Sequence, residues 1–331
     1  MRGETRFDRR ELLVGAALAP LAGGAEAQAQ APAPRTHTYK RVGELAIQAD
    51  VWTPAADGPR PVALWIHGGA LILGSRKSPP RALLTGWLAA GYAVVSIDYR
   101  LAPETQLPGI IEDVEDAYRW IRAEGPTLFG ADPNRIGVAG GSAGGYLTLM
   151  TGFRVEPRPR VLVAFWGYGE LTTSWYAEPS EFYRKQPLVT REEALAAVGP
   201  RPLSEPPSPN QRGRFYLWTR QQGLWPQQVT GHDPKTESRW YDRYCPLRQV
   251  TREYPPTLLI HGTEDTDVPY SESRAMADRF REVGVVHELL TVEGAGHGLS
   301  GAPPADVERS NNRALAFFQT HLSPNGKVAQ G

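Results

Sequence analysis

The sequence predicts an α/β fold: a mostly parallel central sheet covered by helices on both faces, with an inserted cap late in the chain. Three observations carry this. Continuous apolar runs of strand length alternate with amphipathic stretches of helical period. The residues that could carry chemistry follow directly after those runs, where open parallel sheets bind ligands. One aromatic stretch breaks the alternation, so something is inserted between two strands.

The elements run as follows. "HTYKRVGELAIQADVWTP" alternates polar and apolar residues, as a surface hairpin would. "PVALWIHGG" and "YAVVSIDYR" are apolar runs typical of strands buried on both faces. The segment 110–122 places Ile110, Val114, Ala117 and Ile121 at helical spacing. "RIGVAG" is the next strand, and "AGGYLTLMTGF" reads as a helix despite its glycines. "RVLVAFWG" and "PTLLIHG" are further strands. "SESRAMADRFREVG" is an amphipathic helix ending at Gly284. "VVHELLTVEG" is the last strand and "VERSNNRALAFFQTHL" the closing helix. The core therefore comprises 37–166 and 246–322. The segment 167–245, rich in Trp, Tyr, Pro and Arg, is too aromatic for plain disorder and reads as a helical, irregular cap over the strand ends.

Composition narrows the possible functions. The 331 residues carry 36 Lys+Arg against 36 Asp+Glu, a balance that gives no argument for a nucleic-acid partner. A single cysteine, Cys245, excludes an internal disulfide framework and a cysteine-ligated metal cluster. Residues 1–31 form a separate leader. A basic start with Arg9-Arg10 precedes an apolar stretch from Leu12 to about Ala22 and then small residues, the layout of a twin-arginine export signal. Cleavage is expected near Ala27–Ala31, with release to the periplasm or the exterior. No later segment is apolar enough to span a bilayer.

The stretch "GVAGGSAGGYL" wedges Ser142 between glycines. It follows a strand and precedes a helix, the context a strained strand-to-helix turn needs to present a nucleophile in G-x-S-x-G. A serine hydroxyl needs a base. Of the seven histidines, His297 lies in a glycine-rich loop after the last strand, where it can reach over the strand ends. His67 and His261 end strands before a glycine and suit structural roles. His37, His232, His287 and His321 read as solvated or packed rings. The base needs a carboxylate, and the loop after "PTLLIHG" offers Glu264, Asp265 and Asp267. An oxyanion needs donors, for which Gly68, Gly69 and Ala143 are placed after strands.

"HGGA", "DYRLAPE" (98–104) and "GGSAGG", in that order, resemble the hormone-sensitive-lipase-like group of α/β-hydrolase esterases. The likeness covers 61–153 and 256–298. It implies an α/β-hydrolase fold, with Ser142 as nucleophile, His297 as base and the N–H groups of Gly68, Gly69 and Ala143 as oxyanion donors. "HGTEDTDVP" looks like the hydrolase pattern H-G-x-x-D-x-x-V-P, which puts the acid on Asp265 and makes Asp267 its neighbour. "DYRLAPE" is implied to brace the oxyanion loop. The chain departs from the group in three ways. Ala70 replaces the third glycine of HGGG, the acid segment looks more like that of dienelactone-hydrolase or prolyl-oligopeptidase types, and the insert follows the fourth strand where that group's cap is usually N-terminal.

The expected function is an exported serine carboxylesterase acting on short-chain, sugar or aryl esters. No metal or organic cofactor is implied, and the expected partner is a small-molecule ester. The alternatives are an amidase, formamidase or prolyl-oligopeptidase-type peptidase using the same triad, or an inactive hydrolase fold serving as a binding module. Matched ester and amide substrates separate the first two, and a missing triad member would mark the last. In and beside the insert, Trp166, Tyr168, Trp175, Tyr176, Arg214 and Trp218 either line an alcohol or acyl pocket or form a small core of the cap.

Overall fold

Strand register fixes where the site can form. The computed structural model describes residues 32–55, 58–77 and 79–322, so the leader at 1–31 lies outside the described residues. The strands are β1 (Arg35–Val42), β2 (Leu45–Trp52), β3 (Arg60–Ile66), β4 (Ala93–Ile97), β5 (Ala131–Gly141), β6 (Val161–Phe165), β7 (Thr257–Gly262) and β8 (His287–Val292). They form one sheet in the order β1-β2-β4-β3-β5-β6-β7-β8. β1 and β2 are the expected antiparallel hairpin, and β2 meets β4 antiparallel. From β4 to β8 every neighbour is parallel. All the carboxyl ends in that parallel part therefore share one edge of the sheet, where the catalytic candidates were expected.

The strand pattern explains the two-layer cover. Val62, Leu64 and Ile66 of β3 join the core on one face, while Ala63 and Trp65 join the core on the other. With both faces buried, the strand reads as a continuous apolar run rather than an alternating one. The first face is covered by α2 (after α1, Arg81–Ala89; α2 spans Leu107–Ala123), α4 (after α3, Gly125–Phe129; α4 spans Ala143–Arg154) and, beyond the insert, the helix at Tyr270–Val283. Ile110, Val114, Ala117 and Ile121 of α2 are all buried, as their spacing predicts. The second face is covered by α1 and the closing helix Pro304–Leu322, through Leu83, Trp87, Ala314, Phe317 and Phe318. Helix α1 was not legible in the sequence: it has no acidic residue in its first turn and no side-chain cap.

Between β6 and β7 lie α5 (Ser174–Ala177), α6 (Glu181–Arg184), α7 (Arg191–Leu195), α8 (Pro209–Gln222), α9 (Trp225–Thr230) and α10 (Pro246–Gln249). The helices beyond β7 are then α11 (Tyr270–Val283) and α12 (Pro304–Leu322). Tyr168, Tyr176, Phe215 and Trp225 from this insert belong to the same buried cluster as Tyr99, Leu107 and Tyr146. The insert thus has no separate core; its aromatics extend the core of the first face.

Candidate active site

Three loops at the carboxyl ends of β5, β7 and β8 bring the chemistry together. Ser142 stands between β5 and α4 with φ 57° and ψ −122°, sparsely populated backbone that costs an L-residue about 1–3 kcal/mol. Its N–H donates to Phe165 O at 2.9 Å, tying the turn to β6. Close approach explains the glycine at 144: a Cβ there would lie 2.0 Å from Ile66 O and 2.7 Å from His67 O.

His297 Nε2 lies 3.1 Å from Ser142 Oγ, and its Nδ1 lies 2.8 Å from Asp265 Oδ2. Asp265 Oδ1 accepts the N–H groups of Asp267 and Val268 at 2.9 and 2.8 Å. An ionised carboxylate only accepts, so His297 Nδ1 carries the hydrogen and Nε2 is left to take the serine proton. Burial alone would raise the Asp265 pKa, but hydrogen bonds and charge from His261 and His297 hold it well below the usual carboxylate range. Burial works to lower the His297 pKa. The Asp267 charge, with the hydrogen bond and charge of Asp265, outweighs burial and places it above the ordinary histidine value.

The other two acids of this loop are elsewhere. Glu264 is exposed. Asp267 lies on the opposite side of the imidazole from Asp265, with Oδ2 3.5 Å from His297 Nε2.

His261 does more than its sequence context suggested. Its Nε2 lies 3.0 Å from Val268 O and 3.2 Å from Asp265 Oδ2, and its Nδ1 lies 2.7 Å from Ser273 Oγ. A carbonyl only accepts, so Nε2 is the donor and Nδ1 accepts from Ser273. The acid therefore sits between two imidazoles. The available signal was spacing: His261 lies in β7, four residues before Asp265. His37, His232, His287 and His321 pack elsewhere, against Trp120, Trp240, Phe280 and Phe317.

Gly68 and Gly69 follow β3 and reach the elbow. A Cβ on Gly68 would lie 2.7 Å from Gly141 O and 3.3 Å from Ser142 Cβ, so bare backbone is needed there. Ala143 is the first residue of α4, and its N–H has no intrahelical partner. The loop from 67 to 73 is braced from outside. His67 stacks on Tyr99 at 4.2 Å, and its Nδ1 lies 2.7 Å from Gly68 O. Burial pushes its pKa down to about 4, so the ring is neutral near pH 7. Within "DYRLAPE", Tyr99 Oη donates to His67 O at 2.9 Å and Ala102 N–H to Leu71 O at 2.8 Å. The insert adds two ties, from Trp225 Nε1 to Ala70 O at 3.0 Å and from Arg212 Nε to Ile72 O at 2.9 Å. Arg212 also pairs with Glu104, both side chains being buried.

The aromatic candidates divide. Tyr168, Tyr176 and Trp218 are buried. Tyr168 stacks on Tyr146 at 5.0 Å and Tyr176 on Trp225 at 3.8 Å, in the core rather than along an open wall. Arg214 pairs with Glu193 at the surface. Trp166 and Trp175 remain partly exposed. The Trp166 ring lies 6.2 Å from His297, edge to face. Cys245 is buried, with Sγ donating to Glu170 Oε1 at 3.0 Å. Among the described residues no group of His, Cys, Asp or Glu is arranged to hold a metal ion, and no helix is long and apolar enough to cross a membrane.

The family model described as BD-FAE matches residues 49–280. The chain belongs to the BD-FAE family. This BD-FAE member is 32% identical to esterase LipC of Mycobacterium tuberculosis, over 83% of this chain and 62% of that protein. It spans less than two thirds of the length of the curated relatives it matches first. A protein of unknown function from Staphylococcus aureus superposes with TM-score 0.72 at 20% identity, over 87% of this chain and 99% of the other. Esterase 2 of Thermogutta terrifontis, solved with butyrate bound, gives TM-score 0.62 at 22% identity over 90% and 98%. The fold is the α/β-hydrolase fold, and the resemblance to the hormone-sensitive-lipase-like esterase group holds.

Proposed function

We propose that this BD-FAE protein hydrolyses carboxylic esters through an acyl-enzyme on Ser142. The observation that carries the reading is the hydrogen-bonded relay from Asp265 through His297 to Ser142, assembled on a strained turn beside bare backbone N–H groups. The 32% identity to a protein named as an esterase supports it. Ser142 Oγ attacks the acyl carbon while His297 Nε2 takes its proton. The N–H groups of Gly68, Gly69 and Ala143 receive the oxyanion. The imidazolium, steadied by Asp265, then protonates the leaving alcohol. A water, deprotonated by the same nitrogen, releases the acid and restores the serine.

Short acyl esters are the proposed substrates, with Trp166 and Trp175 as the aromatic surfaces available to a ligand. Segment 167–245 is proposed as the cap that shapes the alcohol side of the site. Purified protein should hydrolyse p-nitrophenyl acetate and butyrate, and Ser142→Ala should remove that activity. Absence of hydrolysis by well-folded wild type would overturn the reading. We also infer export in folded form, supported by Arg9-Arg10 before the apolar stretch 12–22. Replacing both arginines by lysine should retain the protein in the cytoplasm; unchanged release would contradict it.

A further inference from the structure

Asp267 is not needed for the relay, yet it is held in the site by an expensive arrangement. Tyr216 and Arg220 lie one turn apart on α8, and both reach Asp267 Oδ1, at 2.5 Å each. Arg220 also donates to Asp267 O at 3.2 Å and to Tyr216 Oη at 2.7 Å. The arginine side chain is only 2% exposed. Its guanidinium lies over the rings of Tyr176 and Tyr183, 4.9 Å from each centroid. Burying a guanidinium is costly without such partners. The cluster ties down Oδ1 of Asp267, with Tyr183 also interacting with this carboxylate, and turns Oδ2 toward the catalytic imidazole, 3.5 Å from His297 Nε2. That nitrogen delivers the proton to the leaving alcohol, so Oδ2 faces the part of the substrate that departs. The same residue borders a cleft of about 290 Å³ whose walls include Ser174, Trp175, Arg220, Thr266 and Pro269.

The geometry points to Asp267 as the residue that selects the leaving group: its Oδ2, turned toward His297 Nε2, accepts a hydrogen bond from a hydroxyl or ammonium carried on the second carbon from the scissile ester oxygen. The inference rests on the esterase reading and deepens it. Nε2 must come within hydrogen-bond distance of the departing oxygen, so an acceptor 3.5 Å from Nε2 is within reach of a donor carried two carbons along the leaving group. An anionic leaving group would meet the same carboxylate and be repelled. A plain alkanol would leave the carboxylate partly desolvated with no donor. The insert thereby has a definite task, because α8 provides both groups that orient Asp267.

The test compares kcat/KM for three butyrate esters: 2-hydroxyethyl, 2-(dimethylamino)ethyl and propyl. Wild type should favour at least one donor-bearing ester over the propyl ester by about tenfold, the scale of one hydrogen bond to a charged group. Which donor ester leads identifies the hydroxyl or the ammonium. Asp267→Asn should bring the ratio close to one. Tyr216→Phe frees part of Oδ1 and should lower the ratio without removing the charge; it serves if the first variant folds poorly. A second readout is the acid limb of the kcat/KM profile. The charged groups facing His297 are Asp265 and Asp267 from the loop after β7 and Arg220 from α8. Removing the Asp267 charge destabilises the imidazolium, so the limb should move to lower pH. Equal rates on all three esters in wild type, or a preference that survives Asp267→Asn, would overturn the proposal. No hydrolysis of any of these esters, or of p-nitrophenyl esters, by wild type would overturn the esterase reading itself and this proposal with it.

Discussion

Replacing Asp265 by asparagine separates the acid of the relay from its neighbour. The side chain makes four hydrogen bonds: Oδ1 accepts from Asp267 N–H and Val268 N–H, and Oδ2 from His297 Nδ1 and His261 Nε2. An amide has one acceptor and one donor end, so it can satisfy only one of these pairs. With oxygen toward the backbone pair, its NH2 faces His297 Nδ1. That nitrogen must then accept, the hydrogen moves to Nε2, and Ser142 has no base. The NH2 also meets the His261 Nε2 hydrogen, which Val268 O holds in place. With the amide reversed, the buried Val268 N–H and the partly buried Asp267 N–H face a donor, at about 1–3 kcal/mol for the buried one. Both orientations are poor, and the first removes the productive tautomer. The expected loss in kcat is about 10³–10⁴, equivalent to about 4–5 kcal/mol of barrier, with KM little changed. Asp267 cannot substitute, because it lies against Nε2 rather than Nδ1. The assay is steady-state hydrolysis of p-nitrophenyl butyrate, with circular dichroism to confirm folding. If folded Asp265→Asn retained a tenth of wild-type kcat, the assignment of the acid would be wrong.

Three further outcomes follow from other parts of the structure. Gly144→Ala places a Cβ 2.0 Å from a backbone carbonyl of β3; it should cost more than about 3 kcal/mol or abolish soluble expression, and an unchanged melting temperature would refute the packing argument. His261→Phe removes the donor to Asp265 and Val268 and strands the Ser273 hydroxyl. It should lower stability by about 2–4 kcal/mol and lower kcat more than it raises KM, whereas full activity in a destabilised protein would make His261 purely structural. Glu272 on α11 is buried, which raises its pKa to about 7 despite N–H bonds from Glu170 and Gly169. A carboxyl whose folded pKa is raised binds its proton more tightly when folded, so its contribution to stability is best below its unfolded pKa and is lost as pH rises toward 7. Denaturant melts from pH 5 to 8 should show wild type falling relative to Glu272→Gln by up to about 3 kcal/mol; a constant difference between the two would refute it.

Much of the fold was readable because strands buried on both faces leave continuous apolar runs, and β3, β4, β6, β7 and the second half of β5 have this form, whereas the edge strand β8 is mixed and half-buried. The order of motifs then located Ser142 and His297, since each chemistry-bearing loop follows a strand. Spacing could not choose between Asp265 and Asp267; both sit in one turn, and the choice depends on which side of the imidazole each carboxylate reaches. The insert was least legible. Its helices α5, α6 and α7 are only four or five residues long, too short for a period to show. Arginine there suggests surface, yet Arg212 and Arg220 are buried while Arg214, between them, is exposed. Only pairing with Glu104 and Asp267, residues far away in the chain, makes their burial tolerable.

The most direct test of the central claim is mass spectrometry of the protein after reaction with a fluorophosphonate ester. The relay requires one covalent phosphonyl adduct on the peptide that contains Ser142, formed rapidly in wild type and very slowly in His297→Ala. No adduct on well-folded wild type, or an adduct on a different residue, would contradict it.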